Sequence, residues 1–262
     1  MADFSLEDLK TLRERLGTGM VETKNALVEA GGDLDKATDL LRLRGAKSNA
    51  KRSDRSTSEG LIAAQSAGSA TTIIELACET DFVAKNDKFV ALSEAVIAAV
   101  ASAGASTVEE GLAAPAGSAT VADLISDEAA ILGEKIELRR LAKLEGDSFE
   151  IYMHRTNKDL PPQVGVVVAY TGDDAETARG IAQHISFAAP SYLSREDVPA
   201  EDVENERRIV EEISRGEGKP DAALPKIVEG RLGAFFKQVS LLDQDYARDN
   251  KLSIAKVAEA AG

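Results

Sequence analysis

The feature that most constrains the fold is a strand pattern that passes through a short turn directly into a helix pattern. Residues 71–79 are apolar and rich in β-branched side chains, which predicts a strand. Residues 87–103 carry apolar side chains at helical spacing, which predicts a helix. The turn between them, residues 80–86, reads Thr-Asp-Phe-Val-Ala-Lys-Asn. A turn carried by two rigid elements is a common place for functional residues.

Two neighbouring side chains of this turn each allow more than one interpretation. Aromatic residues make up only 4% of the chain, so a phenylalanine in this turn indicates a specific structural or functional role. Phe82 either plugs the core beneath the turn, as buried phenylalanines often do, or stands at the surface as a contact. Asp81 either caps the following helix or is a solvated turn residue, or it contributes its charge to a site. Spacing alone leaves these interpretations open.

The size and charge of the chain limit its architecture and partners. A length of 262 residues predicts one large domain or two to three small ones. The formal net charge is −14, and nearly all of it lies beyond the first 55 residues. Nucleic acid is not an expected partner, because phosphates bind clustered Lys and Arg and are repelled by an acidic surface. A protein with a basic face would be attracted to it.

Membrane and secretory features are missing from the sequence. No apolar run reaches the ~20 residues that a membrane-spanning helix requires. The first residues lack the basic and apolar regions of a signal peptide. Cys78 is the only cysteine, which excludes an internal disulfide and fits a reducing compartment. We therefore expect a cytoplasmic protein with no membrane partner.

Residues 1–46 predict a small bundle of three helices. Leucines recur at helical spacing from Leu6 to Leu16, and two further apolar stripes follow. The stripes are separated by the breaks Gly-Thr-Gly and Gly-Gly-Asp, which are typical of helix ends. Residues 47–59 are rich in Lys, Arg, Ser and Asn and lose the apolar periodicity, which predicts a basic linker.

Beyond the linker, the order strand, strand, helix occurs twice. This order predicts an α+β fold, with helices on one face of antiparallel sheets. We assign the first occurrence to a core subdomain over residues 60–140 and the second to a similar subdomain over 141–262. Segments 135–144 and 149–154 predict a β-hairpin. Two charged helical segments within 194–239 predict an inserted antiparallel helical hairpin.

The sequence contains little of the chemistry that an enzyme requires. Its two histidines, His154 and His184, are far apart, whereas a metal site needs several ligands together. Cys78 could pair with a histidine as a nucleophile, but a cysteine in an apolar strand is more typical of a small buried side chain. No glycine-rich phosphate loop is present. We therefore predict no enzymatic activity, no metal and no cofactor.

Three segments of this chain resemble the bacterial elongation factor Ts family. They are the turn at 80–86, the sequence Leu-Arg-Glu-Arg-Leu-Gly-Thr-Gly-Met at 12–20, and Lys-Ile-Val-Glu-Gly-Arg-Leu at 226–232. The resemblance extends over nearly the whole chain. It implies an N-terminal bundle similar to ubiquitin-associated (UBA) domains, followed by two similar core subdomains with a protruding helical pair.

The resemblance also implies a function. Members of this family bind elongation factor Tu in its GDP and nucleotide-free forms and promote GDP release, remaining bound until GTP enters. They do so by displacing Mg²⁺ and loosening the phosphate site. The segment that matches Thr80, Asp81, Phe82 and Val83 is the one that dislodges the partner's Mg²⁺, with Phe82 as an apolar wedge.

Secondary partner contacts follow from the same resemblance. Met20 and His154 match regions that meet the partner, although Met20 is equally suited to a core and a lone histidine is more often structural. The family closes with a strand carrying an aromatic-Arg-aromatic pattern. Residues 258–262 read Ala-Glu-Ala-Ala-Gly instead. Either that last segment lies outside this sequence or the second subdomain finishes differently, and the sequence leaves both alternatives for the edge of the C-terminal sheet.

One alternative belongs to a different functional class. A UBA-like adaptor or scaffold would bind proteins through its bundle and helical hairpin and would have no exchange activity. It does not account for the Asp-Phe pair in the turn at 80–86. The sequence does not indicate the oligomeric state.

Overall fold

The structure, a computed structural model, describes residues 4–262 and contains helices and antiparallel strands. The helices are α1 Leu6–Leu16, α2 Met20–Glu29, α3 Leu34–Ala50, α4 Asp81–Ala84, α5 Asp87–Ala103, α6 Val108–Ala113, α7 Val121–Leu132, α8 Ala175–Ala188, α9 Ala200–Gly216, α10 Leu224–Val239 and α11 Ile254–Ala261. The strands are β1 Glu59–Ala67, β2 Ala70–Cys78, β3 Pro115–Ala116, β4 Ala119–Thr120, β5 Glu137–Glu145, β6 Ser148–His154, β7 Val164–Tyr170, β8 Asp245–Tyr246 and β9 Asp249–Ser253. The predicted α+β class is confirmed.

The chain divides into two compact units. The first contains the described residues up to Glu145 together with Met153–Gly165. The second contains Gly146–Tyr152 and Val166–Gly262. Helix α3 continues to Ala50, so the first residues of the segment predicted as a linker are helical. The domain boundaries proposed from the sequence stay a prediction.

The first three helices form a bundle with its own core. Helix α1 begins at a capping box in which Ser5 and Asp8 each accept a backbone N–H of the other. It ends at Gly17, whose φ of 61° lies in the left-handed region that glycine adopts without strain. The three predicted helices are confirmed. Their buried side chains are Leu9, Leu12, Ala26, Leu27, Ala37 and Leu41.

The bundle packs on helix α7 of the same unit. Arg42 forms an ion pair with Asp127 at 3.1 Å, and the side-chain amide of Asn49 donates to the carbonyl of Ser126 at 2.7 Å. At Gly17, an added Cβ would lie 2.5 Å from a side chain of α7, so only glycine fits this approach. Direct contacts of this kind, and not only a covalent tether, hold the bundle on the core.

The sheet of the first unit has the strand order β1–β2–β5, with both pairs antiparallel. Ile74 and Leu76 of β2 are buried in a core to which α5 contributes one side. Phe89, in the first turn of α5, is fully buried and is the largest such side chain among the described residues. Burial of these apolar groups is the main stabilising contribution in this unit.

The β-hairpin predicted from residues 135–144 and 149–154 is wrong. Strand β5 pairs with β2, and β6 pairs with β7. Leu138 of β5 is buried in the core beneath β2, so the strand completes that sheet. Two strands that follow each other closely in sequence need not pair, because the apolar faces that meet in the core decide the partner.

The second unit contains its own core and the helical hairpin. Ile181, Leu241, Tyr246 and Ile254 form one buried cluster, which joins α8 to the last elements of the chain. The hairpin predicted over 194–239 is confirmed, as α9 and α10 pack on each other. The apolar contacts of the hairpin involve Val210, Val228, Leu232 and Phe236.

We expect Phe89→Ala to lower the free energy of unfolding of the first unit by about 3–5 kcal/mol, because it leaves a cavity in the core. Urea unfolding followed by circular dichroism measures this loss. The matched control is Phe187→Ala, since Phe187 is 84% exposed and its removal leaves no cavity. An unchanged unfolding midpoint for Phe89→Ala would contradict the assignment of Phe89 to the core.

Candidate functional site

The β2–α5 turn, residues 80–86, contains the short helix α4. Thr80 Oγ1 accepts a hydrogen bond from the backbone N–H of Val83 at 3.4 Å and so caps α4. Asn86 caps α5 in the same way. The predicted strand, turn and helix are all present, and the cap of α4 is Thr80 and not Asp81.

The side chains of this turn separate into buried and exposed groups. Val83 and Ala84 are buried and belong to the core of the first unit. Phe82 lies between the residues that cap α4 and α5, and its side chain is 73% exposed. The interpretation of Phe82 as a core plug is therefore wrong, and Phe89 occupies that role. An exposed aromatic ring on a turn whose neighbours are buried is a typical anchor for a protein contact.

Charges flank the exposed ring. Asp81 forms an ion pair with Lys85, one helical turn later, at 3.2 Å. The same Lys85 ammonium lies 4.6 Å from the centre of the Phe82 ring, within the range of a cation–π interaction. The Asp81 carboxylate is about half exposed and remains accessible to a partner. The turn thus presents an apolar ring beside a carboxylate whose negative charge is paired with the Lys85 ammonium in the free protein.

Glu134 holds the start of this turn, and sequence reasoning did not identify it. One carboxylate oxygen, Oε2, accepts the backbone N–H groups of Glu79 and Thr80, both at 3.0 Å. The other, Oε1, accepts the Thr80 hydroxyl at 2.5 Å. The two segments are more than fifty residues apart along the chain, so no local pattern indicates this contact. A glutamate directly after the helix-ending Gly133 is the only local feature.

Glu79 also joins the two segments, because it accepts a hydrogen bond from the segment that carries Glu134. Its carboxylate accepts the backbone N–H of Lys135 at 2.6 Å and pairs with Arg55 at 3.3 Å. The Lys135 ammonium in turn donates to the carbonyl of Arg55 at 3.2 Å. Arg55 belongs to the segment predicted as a basic linker. It therefore ties that segment to the base of the β2–α5 turn.

Met20 lies at the first position of helix α2 and is 47% exposed. Val21 and Val28 of the same helix are also exposed. The core of the bundle uses Ala26 and Leu27 of this helix instead. Helix α2 therefore presents apolar side chains to solvent, and the interpretation of Met20 as a buried core residue is wrong.

The two histidines occupy different settings. His154 ends β6 and is exposed. His184 is buried on α8, where its Nδ1 accepts the backbone N–H of Ala247 at 3.2 Å. Its Nε2 then carries the proton and donates to Gln244 Oε1 at 2.9 Å. His184 is therefore a structural residue whose ring nitrogens are both occupied.

The thiol of Cys78 is buried at the end of β2 and donates to the carbonyl of Thr80 at 3.3 Å. Burial raises the pKa of the Cys78 thiol to about 12, and the negative charges of Glu134 and Glu59 add to the effect. The thiolate is the nucleophilic form of cysteine. At neutral pH this side chain is therefore a small buried apolar group, as the sequence suggested.

Within residues 4–262, no group of three or more His, Cys, Asp or Glu side chains is arranged to hold a metal ion. The helices in that part of the chain are all too short or too polar to span a bilayer. The site consists of an exposed aromatic ring, an ion pair beside it and the hydrogen bonds that hold the start of the β2–α5 turn. This arrangement can bind another protein by contact and by charge.

Comparisons with known proteins show consistent similarity. The family model described as Elongation factor TS matches residues 79–262, a match that begins at the base of the β2–α5 turn. Elongation factor Ts of Leifsonia xyli subsp. xyli is 71% identical, over 100% of this chain and 95% of the relative. The proteins of that name from Tropheryma whipplei and Micrococcus luteus are 55% and 51% identical, with the same coverage. These relatives also cover the N-terminal bundle, which precedes the family-model match.

We expect the Cys78 thiol to react slowly with Ellman's reagent at pH 8 in the folded protein, because its raised pKa and burial leave almost no accessible thiolate. Unfolding in urea should restore the rate of a free cysteine. Absorbance of the released thiol anion measures both rates. Labelling of the folded protein as fast as the unfolded one would contradict the buried, protonated thiol.

Proposed function

Because this chain belongs to the elongation factor Ts family of translation elongation factors, we propose that it binds elongation factor Tu and promotes release of GDP from it. It remains bound to the nucleotide-free partner until GTP enters. The observation that carries this proposal is the exposed Phe82 on the β2–α5 turn, where the match to the family model begins. The chain makes and breaks no covalent bond in this process and is not an enzyme.

Nucleotide exchange of this kind follows from binding linkage. If the factor binds the nucleotide-free form of its partner more tightly than the GDP form, bound factor must weaken GDP by the same ratio. GTPases hold GDP through their phosphate loop and a Mg²⁺ ion, so a shift of the elements around the metal weakens both contacts. The factor therefore needs a rigid group that enters the partner and no nucleotide-binding residues of its own.

Phe82 has the properties of such a group. Its ring is already exposed in the free protein, so binding requires no exposure of a buried side chain. The buried Val83 and the Thr80 cap fix the turn on either side of it. An aromatic side chain on a rigid support loses little conformational freedom when it enters a pocket. In this proposal Phe82 is the wedge that enters between elements of the GTPase and displaces its Mg²⁺.

Asp81 contributes charge next to the wedge. In the free protein its carboxylate is paired with Lys85, which is also in contact with the Phe82 ring. When the ring enters the partner, the carboxylate can accept hydrogen bonds from groups near the metal site and compete with the Mg²⁺ ligands. Thr80 and Val83 support this action by capping and anchoring the turn.

Met20 and His154 provide secondary contacts in this proposal. Both are exposed, and Met20 lies in a run of exposed apolar side chains on α2. Methionine adapts its shape to a partner surface, which suits an apolar contact outside the wedge. These contacts contribute to affinity, whereas the wedge contributes to the change in the partner.

We expect Phe82→Ala to reduce the coupling free energy between factor binding and GDP release by about 2 kcal/mol. At saturating factor, this loss corresponds to GDP release that is slower on the order of thirtyfold. The measurement is stopped-flow release of a fluorescent GDP from purified elongation factor Tu. Since the ring is exposed, the free energy of unfolding of the variant should lie within about 0.5 kcal/mol of the wild-type value.

The matched control is Phe187→Ala, which removes a phenylalanine of similarly high exposure from the second unit. With this variant the partner should release GDP at the wild-type rate. A Phe82→Ala variant with wild-type release would remove the wedge from the proposal. Binding of the wild-type chain with no acceleration of GDP release would favour an adaptor instead of an exchange factor.

We expect Met20→Ala and His154→Ala to weaken complex formation by about 0.5–1.5 kcal/mol each and to leave the maximal rate of GDP release unchanged, because they remove contact area and not the wedge. Titration of the release rate against factor concentration separates the two quantities. Leu6→Ala, which removes an exposed apolar side chain from α1, is the control for Met20. A lower maximal rate for either variant would contradict a purely binding role.

A further inference from the structure

The carboxylate of Glu134 is the only charged side chain among the described residues that hydrogen-bonds the backbone at the start of the β2–α5 turn and its capping hydroxyl together. Its Oε2 accepts two successive backbone N–H groups, those of Glu79 and Thr80. Hydrogen bonds to an ionised acceptor are about twice as strong as neutral ones. Three of them at one carboxylate fix the direction in which the chain leaves β2.

The hydrogen bonds continue from Glu134 into helix α4. The Thr80 hydroxyl donates its proton to Glu134 Oε1, which leaves an oxygen lone pair for the backbone N–H of Val83. One hydroxyl therefore joins Glu134 to the first turn of α4. The orientation of this helix, and with it the direction of the Phe82 side chain, depends on a residue that follows α7.

Helix α4 cannot set that orientation by itself. It has only four residues, which is far below the length at which a helix is stable without external contacts. The apolar anchors Val83 and Ala84 hold its inner side, but the core does not contact the exposed ring. Lys85 contacts the ring itself, and the hydrogen bonds of Glu134 at the start of α4, here called the clamp, are the constraint from outside the turn. The reciprocal contact of Glu79 with Lys135 keeps Glu134 in place.

We propose that Glu134 is a positioning residue for nucleotide exchange, which holds the β2–α5 turn so that Phe82 is presented to the partner in one orientation. This inference rests on the proposed function. A side chain that is already ordered loses less conformational entropy when it enters the partner. The hydrogen bonds of Glu134 therefore raise the maximal rate of GDP release. Glu134 acts through Phe82 and contacts neither the partner nor the nucleotide in this scheme.

The test compares two substitutions at this position in the full chain. Glu134→Ala removes all three hydrogen bonds. Glu134→Gln retains the two backbone hydrogen bonds, now to a neutral amide oxygen, and replaces the third with one of opposite direction, in which the amide nitrogen donates to the Thr80 hydroxyl oxygen. We expect Glu134→Ala to lower the maximal rate of fluorescent GDP release from elongation factor Tu on the order of tenfold. Glu134→Gln should stay close to the wild-type rate.

A matched control uses another glutamate that holds the start of a helix. Glu110 accepts the backbone N–H and the hydroxyl of Ser106 at 2.8 and 2.9 Å, away from the β2–α5 turn. Glu110→Ala removes the same kind of contact and should keep the wild-type maximal rate. A similar loss of rate in Glu110→Ala and Glu134→Ala would show a general effect on stability and would overturn the positioning role.

The same substitution in a Phe82→Ala background tests whether Glu134 acts through the ring. If it does, Glu134→Ala causes no further loss once Phe82 is absent, because the effects of coupled residues are not additive. An equal loss in both backgrounds would overturn the inference. A wild-type maximal rate for Glu134→Ala, or a Glu134→Gln variant as slow as Glu134→Ala, would do the same.

Amide hydrogen exchange measured on this protein alone separates the clamp from the proposed function. The amides of Glu79 and Thr80 should be protected in the wild type and in Glu134→Gln, and should exchange faster in Glu134→Ala. Unchanged protection in Glu134→Ala would overturn the clamp whatever the exchange activity. If the wild-type chain does not accelerate GDP release while protection behaves as expected, the proposed function fails and the geometry of the clamp stands.

Discussion

The burial of Val83, Ala84 and Phe89 in one core is the constraint on which the rest of the site depends. These side chains hold helices α4 and α5 against the sheet β1–β2–β5. Because the inner side of the β2–α5 turn is committed to the core, Phe82 has no apolar surroundings left within it and faces solvent. Exposure of one large aromatic ring costs stability that the surrounding burial offsets. The same packing therefore stabilises the unit and leaves Phe82 as its most exposed aromatic side chain among the described residues.

Polar contacts then orient what the core only anchors. Glu134 and Glu79 each accept a backbone N–H from the segment that carries the other, so the base of the turn is held from both sides. Arg55 supplies a compensating positive charge to Glu79, and the Lys135 ammonium donates to the Arg55 carbonyl. Half-buried carboxylates are stable in such a place only when their oxygens have partners. Beyond the base, Asp81 uses Lys85 in the same way and keeps an accessible carboxylate beside the ring.

The N-terminal bundle follows the same division between anchored and exposed surfaces. Its own core is small, and it packs on α7 through an ion pair and a close approach at Gly17. Met20 and Val21 at the start of α2 are not needed for that core and face solvent. Under the proposed function, Met20 would supply a second apolar contact on a rigid support, so that affinity and the change imposed on the partner would depend on different helices.

The sequence by itself determined the features that depend on neighbouring residues. The period of the apolar side chains and the glycine-containing breaks at helix ends are local, so the three helices of the bundle, the strand and helix around residues 80–86, and the hairpin α9–α10 were predictable. Only the tertiary structure decided which strand pairs with β5, which way Phe82 and Met20 face, and that Glu134 holds Thr80. Each of these depends on residues far apart in the chain, whose meeting is set by how apolar faces share a core and not by local spacing.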